Sequence, residues 1–454
     1  MQLAIVFVCL FFTGLNTTHG YVTLGLSADR MSKIFGFADD GSYLQAAQNL
    51  IANGRSTPEW AWVLNLWPPG MVWLDGLVVR LSPWPFGVTI ALVTTLVWSI
   101  PLALLTRPFM NSAKNAGIVV AAELLILATS PFQSWMFDEG LFYADGLAAA
   151  LFLTGLLLIV NRARSEAPFP IWLRDGIFAG VSFAASIYLR ASYQLIPWVL
   201  AVVAALLWIL VLVRRKRSTG RSGLISQAVM LSVAFIGILM LMQPYASYNL
   251  ETKGRLAFVT TEDLVYQHTW ENPRTDKIPQ WMLDGGSTIG CDLDPTTCAT
   301  VHREEAGGKV PSSAELRTDL IRAIVEHPFK FAGNRISFVT RQWFVDERDS
   351  YSHVQTNFNT GPITYSASSN LNPPQGILYL GLFVLSLISA VLLAARGRWS
   401  LLIVPLIAAA LLAPFAIVHV EARYLIPLKL MGLIAPLLVM TILFDRRTRH
   451  RSVD

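Results

Sequence analysis

Charge is what this chain has least of. Asp, Glu, Lys and Arg make up 14% of its 454 residues, against about 25% in soluble domains. So few charges cannot solubilise a chain that is 54% hydrophobic, with a mean hydropathy of +0.49, and a soluble globular fold is excluded. Cysteine is almost missing too, with three in all, too few for a scaffold stapled by disulfides. No internal repeat or low-complexity tract is present.

Long hydrophobic runs, by contrast, are plentiful. A bilayer takes about 20 mostly apolar residues to cross, and runs of that kind fall at 86–106, 115–132, 142–161, 176–190, 193–213, 225–244, 375–395, 399–419 and 424–444. An earlier run, 2–15, is short and lacks both a basic leader and a small-residue cleavage site. It reads as a signal anchor, after which the chain is exported. With the N-terminus inside, about ten spans put Arg107, Lys114, Arg162, Arg164, Arg174, Arg214 to Arg221, Arg396, Arg398 and Arg446 to Arg451 all on the cytoplasmic side, as the positive-inside rule requires. Arg190 and Arg423 break the rule by falling outside. The expectation is a multi-pass protein of the plasma (inner) membrane.

The net charge of +5 does not point to nucleic acid, because the basic residues sit in short loops between apolar runs. The run "RRKRSTGR" (Arg214 to Arg221) marks topology and suits anionic lipid head groups. Cys291 and Cys298 flank "DLDPTT" in a polar, exported region, which favours a local disulfide. A zinc site there would need a second ligand pair, and none is at the required spacing.

The alternation gives three parts: an N-terminal membrane module (1–244), an extracytoplasmic insert (245–374), and C-terminal spans with a basic tail (375–454). The module's first outer loop, 16–85, contains "FADDGSYLQAAQNL". After Asp39 and Asp40, the residues Tyr43, Ala47, Leu50 and Ile51 recur at helical spacing. Ser42 and Gln45 fit a capping box at the start of that helix, which lies on the membrane surface. One carboxylate could serve the helix N-terminus, but with Ser42 as the cap, two are more than it needs. An Asp within reach of a hydroxyl can act as a general base, and two adjacent ones near apolar surface raise one another's basicity. In the insert, Ala314 to Val339 reads as helix, break at Pro328, then helix.

"DDGSYLQAAQNL" followed by "WPPGMVWLDGLVVRL" (Trp67 to Leu81) resembles the first outer loop of the GT-C glycosyltransferases, nearest the protein O-mannosyltransferase and lipid A aminoarabinose transferase superfamily. "LFYADGLAAALFLTGLLLIV" (Leu141 to Val160), "SIYLRASYQLIP" (Ser186 to Pro197) and "HVEARYLIP" (His419 to Pro427) resemble later motifs of that family. The resemblance implies an all-α polytopic membrane fold of GT-C type. It has a long first outer loop carrying surface helices and a larger outer insert of mixed or irregular structure. It also implies a reaction: transfer of a sugar from a polyprenyl-phosphate donor, on the extracytoplasmic side, to a glycan, lipid or protein hydroxyl, with inversion.

By the same resemblance the catalytic base is Asp39, with Asp40 as its acidic neighbour. Some relatives carry a lysine before "PP"; here that position is Trp67.

The lipid phosphate that leaves needs cations. Arg190 and Arg423 are the candidates, since a guanidinium holds phosphate oxygens in a fork; snorkelling at the interface is the alternative for each. Tyr43, Asp138, Asp145, His419 and Glu421 are supporting candidates. Asp138 and Asp145 share a face if their helix extends outward, and Asp145 beside a span is costly unless partnered. His419 and Glu421 either hydrogen-bond, orient Arg423 or hold a divalent metal, although no ligand cluster demands one. Two rivals stay open: a transporter or flippase, which should show paired halves and broken spans, and a lipid-linked glycan polymerase or ligase, with its chemistry on a late outer loop.

Overall fold

The computed structural model describes residues 39–109, 144–164, 167–213, 221–254, 324–345, 371–416 and 422–451, with scattered positions in 4–11, 27–30 and 318–322. Among these residues there is no β-strand; an isolated antiparallel bridge joins Val345 to Leu371. Three helices belong to the first loop: α1 (Asp39–Asn53), α2 (Pro58–Leu66) and α3 (Gly70–Leu81). The main bundle follows as α4 (Phe86–Thr106), α5 (Ala144–Ala163), α6 (Phe169–Leu189), α7 (Ile196–Val213) and α8 (Arg221–Lys253). Later come α9 (Pro328–Phe344), α10 (Pro373–Ala395), α11 (Ile403–Leu412), α12 (Ile426–Gly432) and α13 (Ala435–Arg451).

Six segments among the described residues are long and apolar enough to cross a membrane: Phe86–Thr106, Ala144–Ala163, Ala191–Val213, Ser222–Thr252, Pro373–Ala395 and Ile426–Leu443. The expected count of about ten is not reached. The run 115–132 and most of 2–15 lie outside the described residues. Phe169–Leu189 is helical throughout but carries Arg174 and Asp175 in its second turn. The run 399–419 forms only a shorter apolar helix, Trp399–Phe415.

The bundle is organised around α5, whose Ala148, Ala149, Phe152, Leu153, Leu156 and Leu157 have no accessible surface. Beside it, α6 and α8 meet backbone to backbone. A Cβ on Gly176 would lie 2.7 Å from the Met230 carbonyl oxygen, and one on Gly180 would lie 2.8 Å from that of Ala234. Two glycines one turn apart let membrane helices approach this closely. On the outside the pattern inverts: Trp198, Val202 and Ile209 on α7, and Ile377, Val384, Ile388 and Val391 on α10, are exposed. Apolar stripes of that extent need lipid to cover them.

Helix α5 is 20 residues long, about 30 Å at 1.5 Å per residue. Its antiparallel neighbour α6 pairs with it at both ends, through Arg190 and Asp145 at one and through Arg162 and Asp175 at the other. The bundle therefore has two chemically distinct ends. The second end also gathers Arg164 and Arg398, both expected on the cytoplasmic side.

The insert returns to the bundle through α9. Residues 324–326 are helical, the chain bends at His327, and Pro328 opens α9, the break expected from a proline that suits only a first turn. Trp343 Nε1 donates to the Gly376 carbonyl at 3.0 Å, and the Asn372 N–H to that of Phe344 at 2.8 Å. These bonds fix the end of α9 to the start of α10. Within 245–374, α8 continues to Lys253, and 255–317 and 346–370, with Cys291 and Cys298, lie outside the described residues.

Candidate active site

Arg190 caps the C-terminus of α6. The backbone turns extended there (φ −145°, ψ 130°) and a short turn, Ala191–Tyr193, redirects the chain into α7. This corner carries the Arg190 side chain inward to the first turn of α5, where Asp145 stands. Nε and Nη2 of Arg190 donate to the two oxygens of Asp145 in a fork. A carboxylate in a first turn is also favoured by the helix dipole. The side chains are 7% and 13% exposed, so the pair is desolvated and Arg190 does not snorkel.

Two further segments close on this pair. Nη1 of Arg190 donates to the Tyr43 hydroxyl at 3.4 Å, and its Cζ lies 5.9 Å from the centre of the Tyr424 ring, within cation–π range. Tyr43 is buried in α1, with its ring edge-on to Trp67 at 5.1 Å; Trp62 packs on Trp67 in turn. Tyr424 stacks on Phe415 at 6.4 Å. Arg190 thus touches both Asp145 and Tyr43, two other residues singled out from the sequence.

Asp39 and Asp40 open α1, one turn before Tyr43. This corrects the capping box. The helix begins four residues earlier than expected, and Ser42 is inside it with no exposed surface. Both aspartates therefore lie in the first turn, where the dipole favours both, and neither is surplus to the helix start. The apolar face is also shorter than expected, since Tyr43 and Ala47 are buried but Ile51 is 41% exposed. Arg423 lies in the short turn Ala422–Leu425, next to Tyr424. Asp138, His419 and Glu421 lie outside the described residues. No group of three or more His, Cys, Asp or Glu among the described residues could hold a metal.

Sequence reasoning missed several buried ionisable groups, Asp175 and Arg335 among them, and two are the most deeply buried. Lys429, in α12, is 1% exposed, with Nζ 5.8 Å from the centre of the Trp343 ring. A lysine inside the apolar run 424–444 was the available signal. Asp75, in α3, is 2% exposed and its Oδ1 has no hydrogen-bond partner among the described residues. Helix α3 is not among the candidate spans, and an Asp in such a helix reads as solvated. Its neighbour Gly76 faces Ala47 and Ile51 of α1, so the face that looks polar in sequence is packed.

Burial pushes the Asp75 carboxyl well above the usual carboxylate range, because the charged form is the one that desolvation penalises. The folded chain then holds this proton after the unfolded chain has lost it near pH 4. Stability is lost as pH rises from there towards the folded value. In detergent, Asp75→Asn is expected to gain thermal stability over wild type as pH is raised from 5 to 8. Parallel curves for the two proteins would mean that Asp75 is ionised and paired.

No protein family and no characterised protein sequence matches the chain. Among solved structures it is similar to the archaeal oligosaccharyltransferase AglB from Archaeoglobus fulgidus, solved in complex with an inhibitory peptide and a dolichol-phosphate. The identity is 12% and the TM-score 0.42, over 99% of this chain and 51% of that one. The chain thus spans about half of that enzyme's length, and the likeness is too slight to transfer fold or function.

Proposed function

We propose that the protein is an integral-membrane glycosyltransferase that moves a sugar from a polyprenyl-phosphate donor to a hydroxyl acceptor. One observation carries the reading. The stretches whose sequence resembles GT-C motifs are far apart in the chain, yet Tyr43, Trp67, Asp145, Arg190 and Tyr424, one or more from each, form a single connected cluster. Chance similarity in five apolar segments has no reason to converge on one buried ion pair.

In this reading Asp39 takes the proton of the acceptor hydroxyl as its oxygen bonds to the anomeric carbon. The bond from that carbon to the phosphate oxygen breaks, and the polyprenyl phosphate leaves with the electron pair. Developing charge on the leaving phosphate is where a fixed cation contributes most, and Arg423 and Arg190 supply it. Asp145 holds Arg190 in one orientation until the donor arrives. The Trp-lined loop helices suit the interface where a lipid-linked donor must approach. The acceptor is recognised by the insert, and a divalent metal near His419 and Glu421 is compatible with the chemistry.

The test is transfer from radiolabelled polyprenyl-phosphate sugars by the purified full chain, with the anomeric configuration read by NMR. A product of opposite configuration to the donor is expected from one displacement. Retention would sink the single-displacement mechanism, and no transfer from any of a panel of such donors would sink the function.

A further inference from the structure

Helix α9 carries an apolar face that the bundle covers only at its C-terminal end. Phe329, Ala332, Ile336, Val339 and Trp343 recur at intervals of three and four, so they form one stripe along the helix. At the end of the stripe Trp343 is buried, with its Nε1 bonded to Gly376 of α10 and its ring beside Lys429 of α12. Further back the stripe opens: Phe329 is 90% exposed, Ile336 is 68% exposed, and Ala332 between them is exposed too. Arg335 and Gln342 flank the stripe on one side and are buried, whereas Gly333 and Thr340 flank it on the other and are exposed. Before the bend at His327, Ile321 and Val325, four residues apart, are exposed as well.

Depth identifies what surrounds the open part. Lys429 lies within the candidate span Ile426–Leu443, and Gly376 is within the first turn of the span Pro373–Ala395. Trp343 therefore stands at membrane depth, near the ends of both spans. Helix α9 also packs against Ala422–Leu425, the turn just before the first of these spans. Directly after Gly376, Ile377, Leu378 and Leu380 are exposed and belong to the face of α10 that needs lipid to cover it. The open stripe thus starts beside a surface that already meets lipid. At 17 residues α9 is not among the candidate spans, and a helix with one apolar side lies in the interface rather than across the bilayer.

We propose that α9 lies in the membrane interface at the end of the bundle that carries Arg190 and Asp145. Phe329 and Ile336 are sunk among the glycerol and upper acyl groups of phospholipid, and Trp343 anchors the helix where Trp is favoured. The partner is the bilayer itself, met through apolar area and not through head-group charge. This contact pins the end of the insert beside the turn that carries Arg423. The placement does not depend on the proposed reaction.

The experiment uses the full chain in phosphatidylcholine vesicles. A fraction of the lipid carries a diazirine on one acyl chain, either near the glycerol or at the methyl end. After illumination, mass spectrometry maps the labelled residues. The shallow probe is expected to label 329–340, because an interfacial helix is buried only about 5–10 Å. The deep probe should label α10 around the exposed Val384 and leave α9 almost unlabelled. Phe329→Gln/Ile336→Gln should reduce the shallow labelling of α9 about tenfold, a factor that burying one large apolar side chain supplies, with labelling around Val384 unchanged.

Equal labelling of α9 by both probes would place it across the bilayer and overturn the proposal. An unlabelled α9 beside a labelled α10, or a variant labelled as strongly as wild type, would do the same. If the variant does not fold, the depth pattern of wild type decides alone. A p-benzoylphenylalanine at position 333, where a Cβ would meet nothing within 4 Å, then identifies the covering molecule. A phospholipid adduct is expected. An adduct with residues 255–317 of the same chain, an adduct with a second copy, or no adduct at all would each overturn the lipid assignment.

Discussion

Asp39→Asn is expected to lower sugar transfer about 10²–10⁴-fold, the usual worth of a positioned general base, and to leave thermal stability almost unchanged. The two effects separate because the helix start loses little. Asn serves a helix N-terminus about as well as Asp, and the lost charge–dipole interaction amounts to roughly 0.3–1 kcal/mol. Position argues for Asp39. It is four residues before Tyr43 in α1, hence on the same face and about 6 Å further along the axis. Tyr43 touches Arg190, so in the proposed mechanism the base is sought on the turn of α1 that precedes Tyr43. Asp40→Asn, three residues from Tyr43, tests the division of labour and should cost less. Rates for both variants, measured at matched amounts of folded protein, decide the matter. If both keep full activity, the carboxylates only start a helix and the mechanism fails.

Where burial follows from hydrophobic periodicity, the sequence was enough. The apolar runs 86–106, 142–161, 193–213, 375–395 and 424–444 match candidate spans within a few residues, whereas 225–244 falls inside the longer Ser222–Thr252 and 176–190 and 399–419 match none. Arg190 and Asp145 stood out because a charge near lipid needs a partner. That they are each other's partner was not readable. It depends on the corner at 190–193 and on α5 and α6 running antiparallel, a tertiary fact. The start of α1 was misread for a local reason. Ser42 satisfies a capping pattern, but its side chain is needed in the packed face, and the helix extends back to the aspartates. Asp75 was invisible because periodicity cannot distinguish a polar residue in water from one pressed against a neighbouring helix. Arg164 was read as a topology signal and no further. The sequence could not tell that its guanidinium is held by Thr441, 277 positions away.

Breaking the ion pair from one side should be the most damaging change to stability in the chain. Arg190→Met leaves Asp145 charged and desolvated, and Asp145→Leu does the same to Arg190. Each is expected to cost about 3–5 kcal/mol, the usual penalty for orphaning a buried charge. The double variant Arg190→Met/Asp145→Leu removes both charges and should recover most of that stability, since apolar replacements of buried pairs are often neutral or better. Thermal unfolding of the four proteins in detergent gives the coupling directly. Activity is where the structural and functional roles part. If the pair only holds α5 to α6, transfer should return with stability in the double variant. If Arg190 meets the donor phosphate, the double variant should be stable and still inactive, because methionine can fill the space but offers no charge to the leaving group. A stable, fully active double variant would remove Arg190 from the mechanism and leave Arg423 as the cation to test.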